Sequence, residues 1–219
     1  SQTDLSGLLS LAHDVKEHPA KYAQACGGQT LAMIFQKPSL RTRVSFQTGI
    51  YQLGGTGIYL GPTDIQLHRG ETISDTAKVL ARYVDGIMAR VFAHSDVVEL
   101  GAHASVPVIN GLSDYNHPCQ VLADLQTIEA HLGSLKGKRL AYIGDGNNMA
   151  HSLLIGCATL GMSVRIGHPA CYAPDAGTVA AADALAAPAR PDSRNPDGPA
   201  QAGDGAAVGY PRGRPRAGP

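Results

Sequence analysis

The 219-residue chain carries no surplus of charge: 18 basic residues meet 18 acidic ones, for a formal net charge of +0. It has no long run of lysine and arginine, so no concentrated basic face is expected and nucleic acid is set aside as a partner. No apolar run approaches the roughly 18 residues that a membrane helix needs, which sets the membrane aside too. The opening residues, SQTDLSGLLS, lack both an initiator Met and a basic region followed by an apolar stretch, so a secretory signal is not expected there. The cysteines are few and scattered. Cys26, Cys119, Cys157 and Cys171 include no pair at C-x-x-C spacing, which argues against a zinc site or a disulfide framework. These absences leave a reduced, cytoplasmic protein without a metal as the expectation.

Hydrophobic residues make up 43% of the chain, a normal globular share. Short β-rich apolar runs alternate with helical spacing. Strands are predicted at Leu31–Phe35, Thr56–Leu60, Ile87–Val91 and Val106–Ile109, and again at Leu140–Ile143 and Met162–Ile166. Helices are predicted over Leu40–Leu53, from Ile73 through Val84, over Cys119–Leu132 and over Asn148–Leu160, each closed by glycine or by a strand. This alternation predicts an α/β fold with parallel sheets flanked by helices. A break at Ser134–Lys138 predicts two domains, 1–134 and 135–187. The stretch 188–219 holds seven prolines and six glycines, with Val208 and Tyr210 its only large nonpolar residues. Such a composition cannot bury enough apolar area to offset ordering entropy, so a disordered tail and an incomplete second domain are expected.

Two strand-to-helix junctions carry candidate chemistry. In the first, the strand ends at Phe35 and Ser39 stands where it can cap the following helix. Arg41, Thr42 and Arg43 fall in the first turn. Free N–H groups at a helix N-terminus, joined by guanidinium groups, form an anion site, and arginine offers the paired donors that suit phosphate. Taken without a partner, the same residues also read as a capped surface helix with solvated arginines. Basic residues in a first turn oppose the helix macrodipole, however, and that hints at a compensating anion.

In the second junction, NGLSDYNHPCQ follows the fourth strand. His117 precedes Pro118 and is held to an extended backbone, while Gln120 starts the next helix. An imidazole that polarises a carbonyl and a carboxamide that reads an amide could converge there on one small polar ligand. They could also serve only as turn and cap residues. Arg90, inside the apolar run Ile87–Val91, needs an anionic partner if buried, or faces water on an edge strand. The glycine-rich turn Gly144-Asp145-Gly146-Asn147-Asn148 hints at a dinucleotide, but Met149 occupies the third glycine site of G-x-G-x-x-G.

Together these residues resemble a known family. Phe35-Gln36-Lys37-Pro38-Ser39-Leu40-Arg41-Thr42 resembles the carbamoyl-phosphate signature of the aspartate and ornithine carbamoyltransferases. His117-Pro118-Cys119-Gln120 is similar to their H-P-x-Q motif, and Arg90 to the arginine between the two. The resemblance runs from about residue 5 to about residue 180. Gly144–Asn148 followed by His151-Ser152, and the segment NGLSDYNHPCQVLADLQT, resemble the ornithine branch.

The resemblance implies carbamoyl transfer from carbamoyl phosphate to L-ornithine, giving L-citrulline and phosphate, as in arginine biosynthesis. It implies a carbamoyl-phosphate domain over 1–134 and part of an ornithine domain over 135–187. Carbamoyl phosphate would be held by Ser39, the Leu40 backbone, Arg41, Thr42 and Gln66. Thr42, Arg90 and His117 would act on the carbonyl oxygen, Gln120 would orient the NH2, and Asn148 would meet ornithine. No cofactor is implied. Gln66 would reach a neighbouring subunit's site, which implies a homotrimer.

Departures from the family pattern are Leu40, where Thr or Gly is usual, and His68, where Gly is usual. The D-x-W-x-S-M-G and H-C-L-P motifs do not occur, and Cys171 sits in HPACYAPD instead. A truncated or frame-shifted chain with foreign residues from about 188 is therefore expected. Alternatives are a non-catalytic product that binds carbamoyl phosphate, or transfer to aspartate, putrescine or an acylated ornithine.

Overall fold

A computed structural model describes residues 1–65 and 70–186 of the chain. The expectations for Gln66, for His68 and for the tail 188–219 lie outside the described residues. Four parallel strands form the first sheet: β1 (Thr30–Phe35), β2 (Thr56–Leu60), β3 (Gly86–Arg90) and β4 (Val108–Leu112), in the order β2-β1-β3-β4. Two more, β5 (Arg139–Ile143) and β6 (Ser163–Gly167), form a separate parallel pair. Helices α1 (Gln2–Glu17), α2 (Leu40–Gln52), α3 (Ile73–Leu80), α4 (His94–His103), α5 (Pro118–Leu132), α6 (Asn148–Thr159) and α7 (Ala176–Ala186) flank them. The predicted α/β architecture with parallel sheets is what the structure has. No helix among the described residues is long and apolar enough to cross a membrane.

The apolar run at Leu31–Phe35 explains the centre of the first sheet. A parallel strand covered on both faces must be apolar on both, and Leu31 through Phe35 are all buried. Ala32 and Ile34 pack with Ile73, Ala77, Val97 and Leu100 of α3 and α4 on one face. Leu31, Met33 and Phe35 pack with Phe46 and Ile50 of α2 on the other, as strand alternation requires. A third cluster joins Leu9 of α1 and Val121, Leu125 and Ile128 of α5 to Leu140, Leu153 and Cys157. The break near residue 134 thus separates two sheets while one apolar cluster runs across it.

Most strand boundaries shift by one residue from the sequence reading, and the fourth strand shifts most. The fourth strand was expected at Val106–Ile109 but spans Val108–Leu112. Pro107 has no N–H to give to a ladder, and its carbonyl instead accepts from Ile87 N at 2.9 Å. The strand then runs on through Gly111, where a Cβ would stand 2.5 Å from Met88 Sδ. At this close approach of β4 to β3, a side chain would have to displace the buried Met88 thioether. A register shift at Ala89/Arg90 accompanies it and ends β3 at Arg90 rather than Val91.

Ser39 caps α2, its Oγ accepting from Thr42 N at 3.4 Å. Replacing it with Ala is expected to cost about 1 kcal/mol of stability, as N-cap losses do. A urea unfolding midpoint checks this, against Leu40→Ala as a control. Leu40 is 78% exposed, so its loss should cost under about 0.5 kcal/mol.

Candidate active site

Parallel strands place their following turns on one edge of the sheet, where ligands of open α/β folds bind. β1 leads to Ser39, β3 ends on Arg90, and β4 leads to the loop carrying His117. Because β1 and β3 are neighbours, Phe35 is paired with Arg90. Gln36 braces the two ends. Its N–H donates to the Arg90 carbonyl at 2.9 Å, its Nε2 to Asp96 Oδ2 at 2.7 Å, and its Oε1 accepts from Phe92 N at 2.9 Å.

A cleft of about 420 Å³ opens at this edge, and Ser39, Arg41, Thr42, Arg90, His117 and Gln120 line it. Six of the predicted positions, up to 81 residues apart in sequence (Ser39 to Gln120), thus meet in one place. Leu40 does not line the cleft; as the first residue of α2 it turns its side chain to solvent. Asn148 does not line it either, although its neighbour Met149 does. The Asn148 amide instead donates to the Ser113 carbonyl at 2.8 Å. Arg43, counted with the first-turn cations, lies over the Tyr59 ring at 3.7 Å from its centroid. Ser45 and Phe46 were missed and line the wall; they stand three and four residues after Thr42, on its face of α2.

Thr42 is the hub of the anion end. Its Oγ1 accepts from Ser39 Oγ at 3.0 Å and from Arg90 Nη1 at 3.4 Å. Both lone pairs are then engaged, and the hydroxyl proton is left to donate outward. Arg90 is half-buried and, among the described residues, forms no ion pair. Among the described residues its buried Nε has no hydrogen-bond partner, and neither has His117 Nδ1. A buried polar group left unsatisfied costs about 1–3 kcal/mol, so two at one cleft mark a place where folding has been compromised for something else.

Burial, reinforced by the Arg90 charge, pushes the His117 imidazole down to about 4. At neutral pH it is therefore uncharged and carries one N–H. Gln120 Nε2 donates to Asp124 Oδ1 at 3.0 Å, which leaves its Oε1 as the free acceptor. Burial raises the Asp124 carboxyl, and the Gln120 hydrogen bond opposes that rise. The cleft thus offers cationic donors at one end and, at the other, a neutral imidazole beside an amide acceptor. It suits a small molecule with a phosphate at one end and an amide-like group at the other.

Comparison with known proteins agrees with that chemistry. The aspartate/ornithine carbamoyltransferase carbamoyl-P binding domain matches residues 1–130, and the Asp/Orn binding domain of the same enzymes matches residues 136–206. The second match runs past residue 188, into the Pro/Gly-rich stretch. The ornithine carbamoyltransferase of Thermococcus kodakarensis is 64% identical over 148 residues, which cover 68% of this chain and 47% of that protein. That of Oceanobacillus iheyensis is 61% identical over 188 residues, covering 85% of this chain and 58% of that protein. The ornithine carbamoyltransferase structure from Pyrococcus furiosus superposes with a TM-score of 0.84 at 49% identity, over 86% of this chain and 61% of the other. The chain spans about half the length of the curated relatives it matches. With both halves of the family's domain pair matched in order, the chain belongs to the aspartate/ornithine carbamoyltransferase family.

Proposed function

We propose that the chain serves carbamoyl transfer from carbamoyl phosphate to L-ornithine, giving L-citrulline and phosphate. The observation that carries this reading is the pair of unpartnered buried nitrogens, Arg90 Nε and His117 Nδ1, in a cleft whose far wall is the capped, arginine-bearing start of α2. Ser39, Arg41, Thr42 and the first backbone N–H groups of α2, Leu40 included, hold the phosphate. Arg90, Thr42 and the neutral His117 donate to the carbonyl oxygen, where negative charge grows as the amine adds. Gln120 Oε1 accepts from the carbamoyl NH2. Asn148 meets the amino-acid end of ornithine, which requires its amide to leave Ser113.

In the reaction the amine nitrogen bonds to the carbonyl carbon and the carbon–oxygen bond to phosphate breaks. The amine sheds one proton to the departing phosphate. Only the unprotonated amine attacks, so rates rise with pH toward its pKa of roughly 10. Much of the acceleration comes from holding the two reactants together.

On this reading residues 1–134 form the carbamoyl-phosphate domain and 135–187 the near part of the ornithine domain. Gln66 completes a neighbour's site in a homotrimer, and the reaction is a cytoplasmic step of arginine biosynthesis. The two matched family domains, residues 1–130 and 136–206, support the domain division, while the other points rest on the family resemblance alone.

A calorimetric titration with carbamoyl phosphate tests the reading. Saturable binding is expected, weakened about 10- to 100-fold by Arg41→Ala, since a hydrogen bond to a charged group is worth about 1.5–3 kcal/mol. A folded chain that binds none would overturn it. Binding without phosphate release on adding ornithine would leave the non-catalytic alternative.

A further inference from the structure

Helix α6 meets the loop that carries His117 along one face. Asn148, His151 and Ser152 stand at i, i+3 and i+4 and so share that face. Each holds a different backbone group of the loop. Asn148 Nδ2 donates to the Ser113 carbonyl at 2.8 Å, and His151 Nδ1 donates to the Tyr115 carbonyl at 2.9 Å. Ser152 Oγ accepts the His117 N–H at 2.8 Å. The three loop residues span a bend that Ser113 N closes by donating to the Asn116 carbonyl at 2.9 Å.

A second partner fixes the direction of each bond. The Asp175 N–H donates to His151 Nε2 at 3.1 Å. Nε2 is therefore the bare nitrogen, and the proton sits on Nδ1, facing Tyr115. Ser152 Oγ donates its own proton to the Asn148 carbonyl at 2.9 Å, which leaves a lone pair for His117. Thr178 Oγ1 donates to Asp175 Oδ2 at 2.9 Å, so the Tyr115 hydroxyl, 2.8 Å away, donates to Thr178. His151, Ser152 and Thr178 are all buried, and none of them lines the cleft.

His117 itself has little to orient it. It caps α5 without a side-chain cap bond, and its buried Nδ1 has no hydrogen-bond partner among the described residues. Its ring direction rests on the packing around it and on where its backbone stands, and that backbone is held from α6. We infer that His151 and Ser152 are positioning residues that aim the His117 imidazole at the cleft without touching what binds there. The consequence for carbamoyl transfer rests on the function proposed above; the geometry does not.

Two pairs of variants test this in the full chain. Ser152→Ala removes the acceptor and Ser152→Thr keeps it. His151→Phe removes both ring bonds, while His151→Asn keeps an amide donor near the position of Nδ1. The His117 titration is followed by NMR, and inorganic phosphate and carbamoyl phosphate are titrated separately by calorimetry. Phosphate alone needs only the α2 end, whereas carbamoyl phosphate also needs His117.

In Ser152→Ala and His151→Phe the His117 midpoint should rise from about 4. Affinity for carbamoyl phosphate should fall about tenfold, with phosphate affinity within about twofold of the parent. Thr and Asn should restore both. An unmoved His117 titration in both deletions overturns the inference, and so does an equal loss of the two affinities. Should Ser152→Ala fail to fold, the His151 pair carries the same comparison. If the parent chain binds neither ligand, the carbamoyl-transfer reading falls, while the His117 titration still decides the positioning role.

Discussion

Arg90→Met is expected to lower kcat/KM for ornithine-dependent phosphate release by about 10² to 10³, the usual loss for one oxyanion donor, while leaving the unfolding midpoint unchanged or slightly raised. The two effects part because of where the guanidinium sits. Methionine keeps most of the side chain's length at the end of β3. It removes a half-buried cation that forms no ion pair among the described residues and a buried Nε that has no partner. Taking away an uncompensated charge does not destabilise a fold in the way that breaking a pair does. Arg90→Lys should not restore the rate, because an ammonium cannot present the planar fork that reaches Thr42.

The same change should show in His117. Burial is the larger cause of its depressed pKa and the Arg90 charge the second, so the midpoint in Arg90→Met should rise from about 4 only part of the way to the ordinary value. The linkage follows from the sign. Between about 4 and roughly 6.5 the unfolded chain binds the proton and the folded chain does not, so stability is lost as pH falls through that window. Arg90→Met narrows the window from below. Phosphate-release kinetics and urea unfolding across pH 4 to 7 check both parts. A fall in stability as steep as the fall in rate would reduce Arg90 to a structural residue and sink the assignment.

Much of the cleft was legible because strand ends are legible. An apolar run such as Leu31–Phe35 shows where a buried parallel strand stops, and the residues just past it stand on the sheet's ligand edge. That places Ser39, Arg41 and Thr42 after one strand and His117 with Gln120 after another, while their meeting with Arg90 was implied by the family resemblance. The cross-strand facts were not legible. Nothing local says that Arg90 reaches Thr42, that Gln36 ties two strand ends together, or that the Asn148 amide bonds Ser113.

Two of the three helices that escaped notice lacked local signals. Ala93 gives α4 no side-chain cap. Helix α7 is an alanine-rich segment with no apolar stripe to betray its face. Helix α1 does carry a capping box, Ser1 with Asp4, but Leu9 alone of its residues is buried, so its apolar stripe is weak. The fourth strand starts later than its apolar run because Pro107 has no N–H to give to the ladder.

Gly146→Ala is expected to be among the most damaging single-methyl changes in the chain, costing at least about 3 kcal/mol, the upper end of overpacking. A Cβ at Gly146 would lie 2.1 Å from Pro174 N and 2.4 Å from the Ala173 carbonyl carbon. Those are backbone atoms, which cannot swing aside as a side-chain tip can. Gly144→Ala is the control: the nearest atoms to its Cβ would be those of the Tyr142 ring and hydroxyl, the first at 3.2 Å, and a small ring movement relieves that. In a dinucleotide site the second glycine makes room for a pyrophosphate. Here the room is taken by the chain itself, since Gly146 N donates to the Tyr172 carbonyl at 2.8 Å. The glycine turn therefore fastens the 172–175 segment to the start of α6, and Asp175 in that segment holds His151 Nε2. Displacing it should free His151 and, through Tyr115, loosen the loop that ends at His117. Urea midpoints for the two alanine variants, with the His117 NMR signal alongside, check the argument. Equal and small losses for Gly144→Ala and Gly146→Ala would mean that the 173–174 backbone yields, and that the turn is not what anchors it.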